Sequence, residues 1–122
     1  DVYKRQPAAV GIPVTQRGIV HGFTVVSGHL PPGHEKSLVD WAALARSGAT
    51  MAVIMGVKNA PAIASALIDA SLSPSTPCAI IQEGTLSTER AYRCTLGTLA
   101  QTMAKHEISA PAVYVIGEVA GL

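Results

Sequence analysis

Aromatic side chains are scarce in this chain, with one Phe, one Trp and three Tyr among 122 residues. A core short of rings must be aliphatic, and at 48% hydrophobic content that core suits strands covered by helices better than a β-sandwich. Charge is scarce too: 14% of residues are charged and the formal net charge is +1. No basic run or aromatic-basic interleaving marks a nucleic-acid surface. No apolar run reaches the roughly 18 residues of a membrane span, and the polar amino end shows no secretory apolar segment. Cysteine is limited to Cys78 and Cys94, both within apolar runs, read as buried thiols of a reduced, cytoplasmic protein. Histidines 21, 29, 34 and 106 lack metal-ligand spacing, and no nucleophile elbow, phosphate loop or dinucleotide fingerprint occurs.

What is present is enough for one well-filled domain, and low charge with high hydrophobicity excludes disorder. The residue pattern predicts a strand over Ile19–Val26 and a helix capped by Ser37 that runs through Leu38, Trp41, Ala42 and Ala45 to Gly48. A short buried strand over Thr50–Met55 follows, then a slim helix with Asn59 as N-cap and Ile63 and Leu67 on its buried stripe. Strands over Cys78–Ile81 and Arg90–Leu96, a helix marked by Leu99 and Met103, and a strand over Ala112–Ile116 complete the order. The expected class is α/β, a mixed sheet of mostly five strands with helices packed on it.

Turns that end strands are where such folds build sites, and three of them carry polar or backbone-exposing groups. Ser27-Gly28-His29 follows the first strand, Met55-Gly56 ends the second, and Glu83-Gly84-Thr85 follows the third. Ahead of them, the Pro13-stiffened segment Gly11–Arg17 presents a guanidinium suited to clamping carboxylates. A strand-terminal glycine lets a ligand approach the backbone closely. Each feature has a plainer reading. Arg17 is also a surface arginine, His29 a solvated loop residue, Met55 a last core residue and Glu83–Thr85 an ordinary turn. The spacing alone names no ligand.

The ordered set Gly11-Ile-Pro, Thr15-x-Arg17, Phe23-Thr-Val-Val-Ser-Gly-His29, Asp40-Trp-Ala-Ala-Leu-Ala45, Met55-Gly-Val-Lys-Asn59, Pro61–Ala64, Glu83-Gly-Thr85, Arg93-x-Thr95-Leu96 and Gly117-Glu-Val119 resembles the tetrapyrrole methylases. The resemblance is to their uroporphyrinogen-III C-methyltransferase group and covers about Pro7 to Val119, as a C-terminal half. It implies a cytoplasmic, usually dimeric two-domain enzyme that transfers methyl groups from S-adenosylmethionine to C2 and C7 of uroporphyrinogen III. The route passes through precorrin-1 to precorrin-2, for siroheme and cobalamin, and needs no metal, nucleic acid or membrane. By the same resemblance Arg17 and His29 face the tetrapyrrole, with Lys58 a weaker carboxylate partner. Met55, Gly84, Thr85 and Thr95, with Leu96, line the cofactor pocket, and the catalytic residues lie in the other half. Residues 1–6 match a translated sequencing adapter, 7–18 read as linker and loop, and 19–122 as the C-terminal methylase domain. Three positions depart from the family: Gln16 for histidine, Ser27 for threonine and Cys94 for glycine. The alternatives are another precorrin methylase and, for the fragment alone, a non-catalytic binding or dimerisation module.

Overall fold

The computed structural model describes residues 23–82 and 90–121. Its strands are β1 (Phe23–Ser27), β2 (Thr50–Ile54), β3 (Pro77–Gln82), β4 (Arg90–Thr95) and β5 (Ala112–Ile116), and its helices α1 (Trp41–Arg46), α2 (Ala60–Asp69) and α3 (Leu99–Lys105). The strands form one sheet in the order β1-β2-β5-β3-β4. This is the α/β architecture and element order that the residue pattern predicts. The aliphatic composition suits parallel pairing, yet within the described sheet β1–β2 is the one parallel pair. Strand β5 returns between β2 and β3 and runs against both, and β3–β4 is an antiparallel hairpin.

These directions fix where the strands end. β1, β2 and β3 point the same way, with Ser27 opposite Ile54, Ile54 opposite Val113, and Gln82 opposite Ala112. Their carboxyl ends therefore share one edge of the sheet. At about 4.8 Å per strand, the span from β1 to β3 is roughly 15 Å. β4 runs the other way, so its Thr95, opposite Pro77, sits on the far edge.

Side chains alternate between the two faces of the sheet. On one face Val26, Met51, Val53, Cys78, Ile80, Tyr114 and Ile116 pack against Trp41 of α1, Ile63 and Leu67 of α2, and Leu99 and Met103 of α3. On the other, Ala79, Ile81 and Val115 are wholly buried and cluster with Ala120 of the closing 3-10 turn, Glu118–Gly121. The single tryptophan lies in this core, as an aromatic-poor chain requires.

Helix ends differ from expectation in one place. Asp40, rather than Ser37, caps α1, its Oδ1 accepting a hydrogen bond from Ala43 N at 2.9 Å. Ser37 instead closes a local turn with Val39 N, and Leu38, placed inside the helix by the pattern, is 99% exposed. A carboxylate one residue before Trp41 satisfies an orphan amide of the first turn, so α1 starts later than its apolar spacing suggests. Asn59 does stand at the N-cap of α2, but its side chain makes no capping bond. α2 closes with Ser71 in the left-handed region, its N–H bonded to Ile68 O and that of Leu72 to Leu67 O. Those two bonds satisfy carbonyls that the last turn leaves open.

Candidate functional site

The turns after β1 and β2 meet at the shared edge, and glycine makes the meeting possible. A Cβ on Gly28 would lie 2.7 Å from Gly56 Cα and 2.9 Å from Ile63 Cδ1. A Cβ on Gly56 would lie 2.7 Å from Val53 Cγ1 and 2.8 Å from the Tyr114 hydroxyl. Both glycines are buried. The expected room for a ligand beside Gly56 is thus taken by the chain itself, because two turns and a tyrosine ring converge there. What faces outward is their neighbours.

Polar groups of the Ser27-Gly28-His29 turn are bound on every side. Gly28 N–H donates to Ile54 O at 2.8 Å, and His29 N–H donates to the Ser27 hydroxyl at 3.3 Å. The carbonyls of Gly28 and His29 both accept from the Asn59 side-chain amide, at 2.8 and 3.1 Å. His29 itself is exposed at the edge.

Met55 follows β2 with φ of 54° and is 60% exposed. A left-handed conformation costs an L-residue about 1 kcal/mol or more, and such strain is retained where the surrounding structure imposes it. Here the next residue is locked from below: the buried Tyr114 hydroxyl donates to Gly56 O at 3.0 Å. Burial, and then the neighbouring Cys78, push the Tyr114 hydroxyl well above its ordinary range, so it stays a donor. The result is an apolar thioether standing out from a rigid strand end. It offers packing surface to a flat organic ligand, and the exposed His29 adds a polar contact on the adjoining turn.

His29 and Met55 therefore come together on one edge, with Lys58 exposed on the turn that follows Met55. Thr95 does not join them. It lies at the far end of β4, and its hydroxyl is engaged with Thr98 at 3.0 Å in the cap of the turn Leu96–Thr98. A six-residue hairpin partner necessarily ends at the opposite edge from its predecessor, which corrects the expectation that Thr95 lines the same wall. Leu96 is buried in the core. Arg17, Gly84 and Thr85 lie outside the described residues, although Gln82, the last described residue of β3, is on the shared edge. Sequence reading missed Asn59 and Tyr114 as supports of the site. The signal for Tyr114 is a lone phenol inside the run Ala112–Ile116, since a buried hydroxyl needs a partner.

The cysteines occupy directly opposed positions on β3 and β4, Cys78 against Cys94, and both are free thiols. Cys78 is buried as expected, while Cys94 is half-buried because β4 is the outer strand of the described sheet. Among the described residues, no group of three His, Cys, Asp or Glu is placed to hold a metal ion. No described helix is long and apolar enough to cross a membrane. A cavity of about 280 Å³ opens at the far edge, lined by Leu44, Met51, Leu72, Thr76 and Ile116, away from the His29–Met55 edge.

Residues 5–100 match the family of Tetrapyrrole (Corrin/Porphyrin) Methylases. The S-adenosyl-L-methionine-dependent uroporphyrinogen III methyltransferase of Methanosarcina barkeri is 38% identical over 116 residues, covering 95% of this chain and 46% of that protein. The uroporphyrinogen-III C-methyltransferase of Pseudomonas aeruginosa is 40% identical over 111 residues, covering 91% and 44%. A solved structure, uroporphyrin-III C-methyl transferase from Thermus thermophilus complexed with S-adenyl homocysteine, superposes with a TM-score of 0.72 at 34% identity, over 91% of this chain and 46% of that one. The chain spans about half the length of each of these three relatives. With most of its length matched by the family and its mixed sheet shared with a solved relative, the chain belongs to the tetrapyrrole methylases.

Proposed function

We propose that this chain is the C-terminal half of an S-adenosylmethionine-dependent uroporphyrinogen-III C-methyltransferase, and that its His29–Met55 edge is one wall of the active cleft. The observation that supports the reading is the close approach of Gly28 and Gly56, which joins the turns that carry His29 and Met55 at one end of the sheet. Family membership and relatives at 38–40% identity supply the substrate class. In this reading residues 19–122 form the domain and 7–18 connect it to the other half.

S-adenosylmethionine, when bound, supplies a sulfonium methyl group that an electron-rich pyrrole carbon can attack. The work of this half is positional. Alignment of reacting atoms by a rigid wall accounts for much of the rate in such a transfer. Met55 would pack its thioether on the cofactor, and Gly84 and Thr85 would add to that contact. Arg17 and His29 would bind carboxylates of the tetrapyrrole, the guanidinium by paired, charge-assisted hydrogen bonds. The proton lost from the ring is taken up by groups of the other half, and no base is assigned in this one. Methylation at C2 and then C7, through precorrin-1 to precorrin-2, by a cytoplasmic homodimer is the full reaction proposed.

The experiment is to express the longer natural protein and assay methyl transfer to uroporphyrinogen III beside later precorrins. Two methyl groups transferred to uroporphyrinogen III are expected. A folded protein that methylates only a precorrin would assign the chain to another branch of the family.

A further inference from the structure

Asn59 stands where sequence rules put a helix cap, yet its side chain is used elsewhere. No capping bond joins it to the first turn of α2. Its amide reaches back some thirty residues along the sequence, to Gly28 O at 2.8 Å and His29 O at 3.1 Å. Two carbonyl oxygens can be satisfied only by the NH₂ of the amide, which carries two donors and so can bond each of them. The same residue ends the turn that begins at Met55 and Gly56, and Gly56 packs against Gly28. Asn59 thus ties the His29 turn to the Met55 turn. The Met55 side has a second anchor, the Tyr114 hydroxyl on Gly56 O, while the two carbonyls of the His29 side accept from Asn59.

We propose that Asn59 is a positioning residue for the substrate side of the cleft, acting through the backbone of Gly28 and His29 rather than as a helix cap. The proposal rests on the functional reading above in taking His29 as the tetrapyrrole-facing group. Losing both bonds frees the carbonyl side of the His29 turn but leaves Met55 held by Tyr114. The two ligands of the cleft should therefore respond differently.

Aspartate separates the two roles. It matches asparagine as an N-cap and is favoured near a helix N-terminus by its charge, but it cannot donate and sets a carboxylate against two carbonyl oxygens. In the longer protein, Asn59→Asp and Asn59→Ala are each expected to raise the KM for uroporphyrinogen III about tenfold, equivalent to ~1.4 kcal/mol. The Kd for S-adenosylhomocysteine, measured by calorimetry, should stay within about threefold of the unsubstituted protein. The ¹⁵N-amide signals of His29 and Leu30, whose N–H groups share peptide units with the two carbonyls, should shift in both variants without any ligand present. The proposal is overturned if Asn59→Asp keeps the original KM while Asn59→Ala loses it, which is the behaviour of a cap. It is equally overturned if KM, Kd and melting temperature worsen together, or if the His29 and Leu30 signals stay put. Should the unsubstituted protein fail to methylate uroporphyrinogen III, the functional reading falls, and the amide signals still decide the role of Asn59.

Discussion

Replacing Gly28 by alanine disturbs the backbone approach at which the two turns meet. The new Cβ would stand 2.7 Å from Gly56 Cα, 2.9 Å from Ile63 Cδ1 and 3.0 Å from Val53 Cγ1. The isoleucine and valine methyls can give a little, but Gly56 Cα is backbone, held by the Tyr114 hydroxyl on the adjoining carbonyl. Overpacking of this kind costs about 1–3 kcal/mol. Gly28 does not adopt a positive φ, so alanine fits its backbone and recovers about 0.4–1 kcal/mol through a less free unfolded chain. The net expectation is a loss of ~1–2 kcal/mol. Equilibrium urea unfolding of the 122-residue chain measures it. With a slope of roughly 1.5–2 kcal/mol per molar, the midpoint should fall by about 0.5–1.3 M at unchanged slope. A midpoint that stays or rises would mean that the two turns do not touch, and the proposed wall would lose its basis.

Met55→Gly removes a left-handed methionine whose side chain is 60% exposed, so little packing is lost. Relief of strain worth about 1 kcal/mol, less the backbone entropy of glycine, should leave the chain ~0.5 kcal/mol more stable in urea, while S-adenosylhomocysteine affinity of the longer protein falls in calorimetry. Stability should also depend on alkaline pH. Burial, then the nearby Cys94, raise the Cys78 thiol above its ordinary 9.0, and burial raises Cys94 as well, against a lowering hydrogen bond from Thr102. The unfolded chain releases these protons first, so the stabilisation is complete below pH 9 and is lost above it, at about 1.4 kcal/mol per pH unit for the buried Cys78. Denaturation profiles between pH 8 and 11 check the sign, and Cys78→Ala should make the decline shallower.

Much of the fold is legible in the sequence because its elements are locally consistent. The spacing of Ile63 and Leu67, the Pro61 start of α2 and the apolar runs of β2, β3 and β5 each point to the element that forms. The start of α1 is less legible, because Ser37 and Asp40 are both good caps and only the packing of Trp41 selects the second. Pair direction is not written in local pattern at all. That β4 runs back from the shared edge, carrying Thr95 away, follows from a hairpin register set by tertiary contacts. His29 and Met55 were readable as strand-end residues, and the sheet order brings them together. The long-range bonds of Asn59, expected only as a helix cap, and of Tyr114 escaped notice for a common reason. Each serves a backbone carbonyl distant in sequence, Asn59 by about thirty residues and Tyr114 by 58, and such pairings leave no periodic trace.

A crystal structure of the longer protein with S-adenosylhomocysteine would locate the cleft. Ligand atoms are expected in van der Waals contact with Met55, on the edge where β1, β2 and β3 end, and none near Thr95. A ligand seated on the far edge, in the cavity beside Leu72 and Ile116, would contradict that placement.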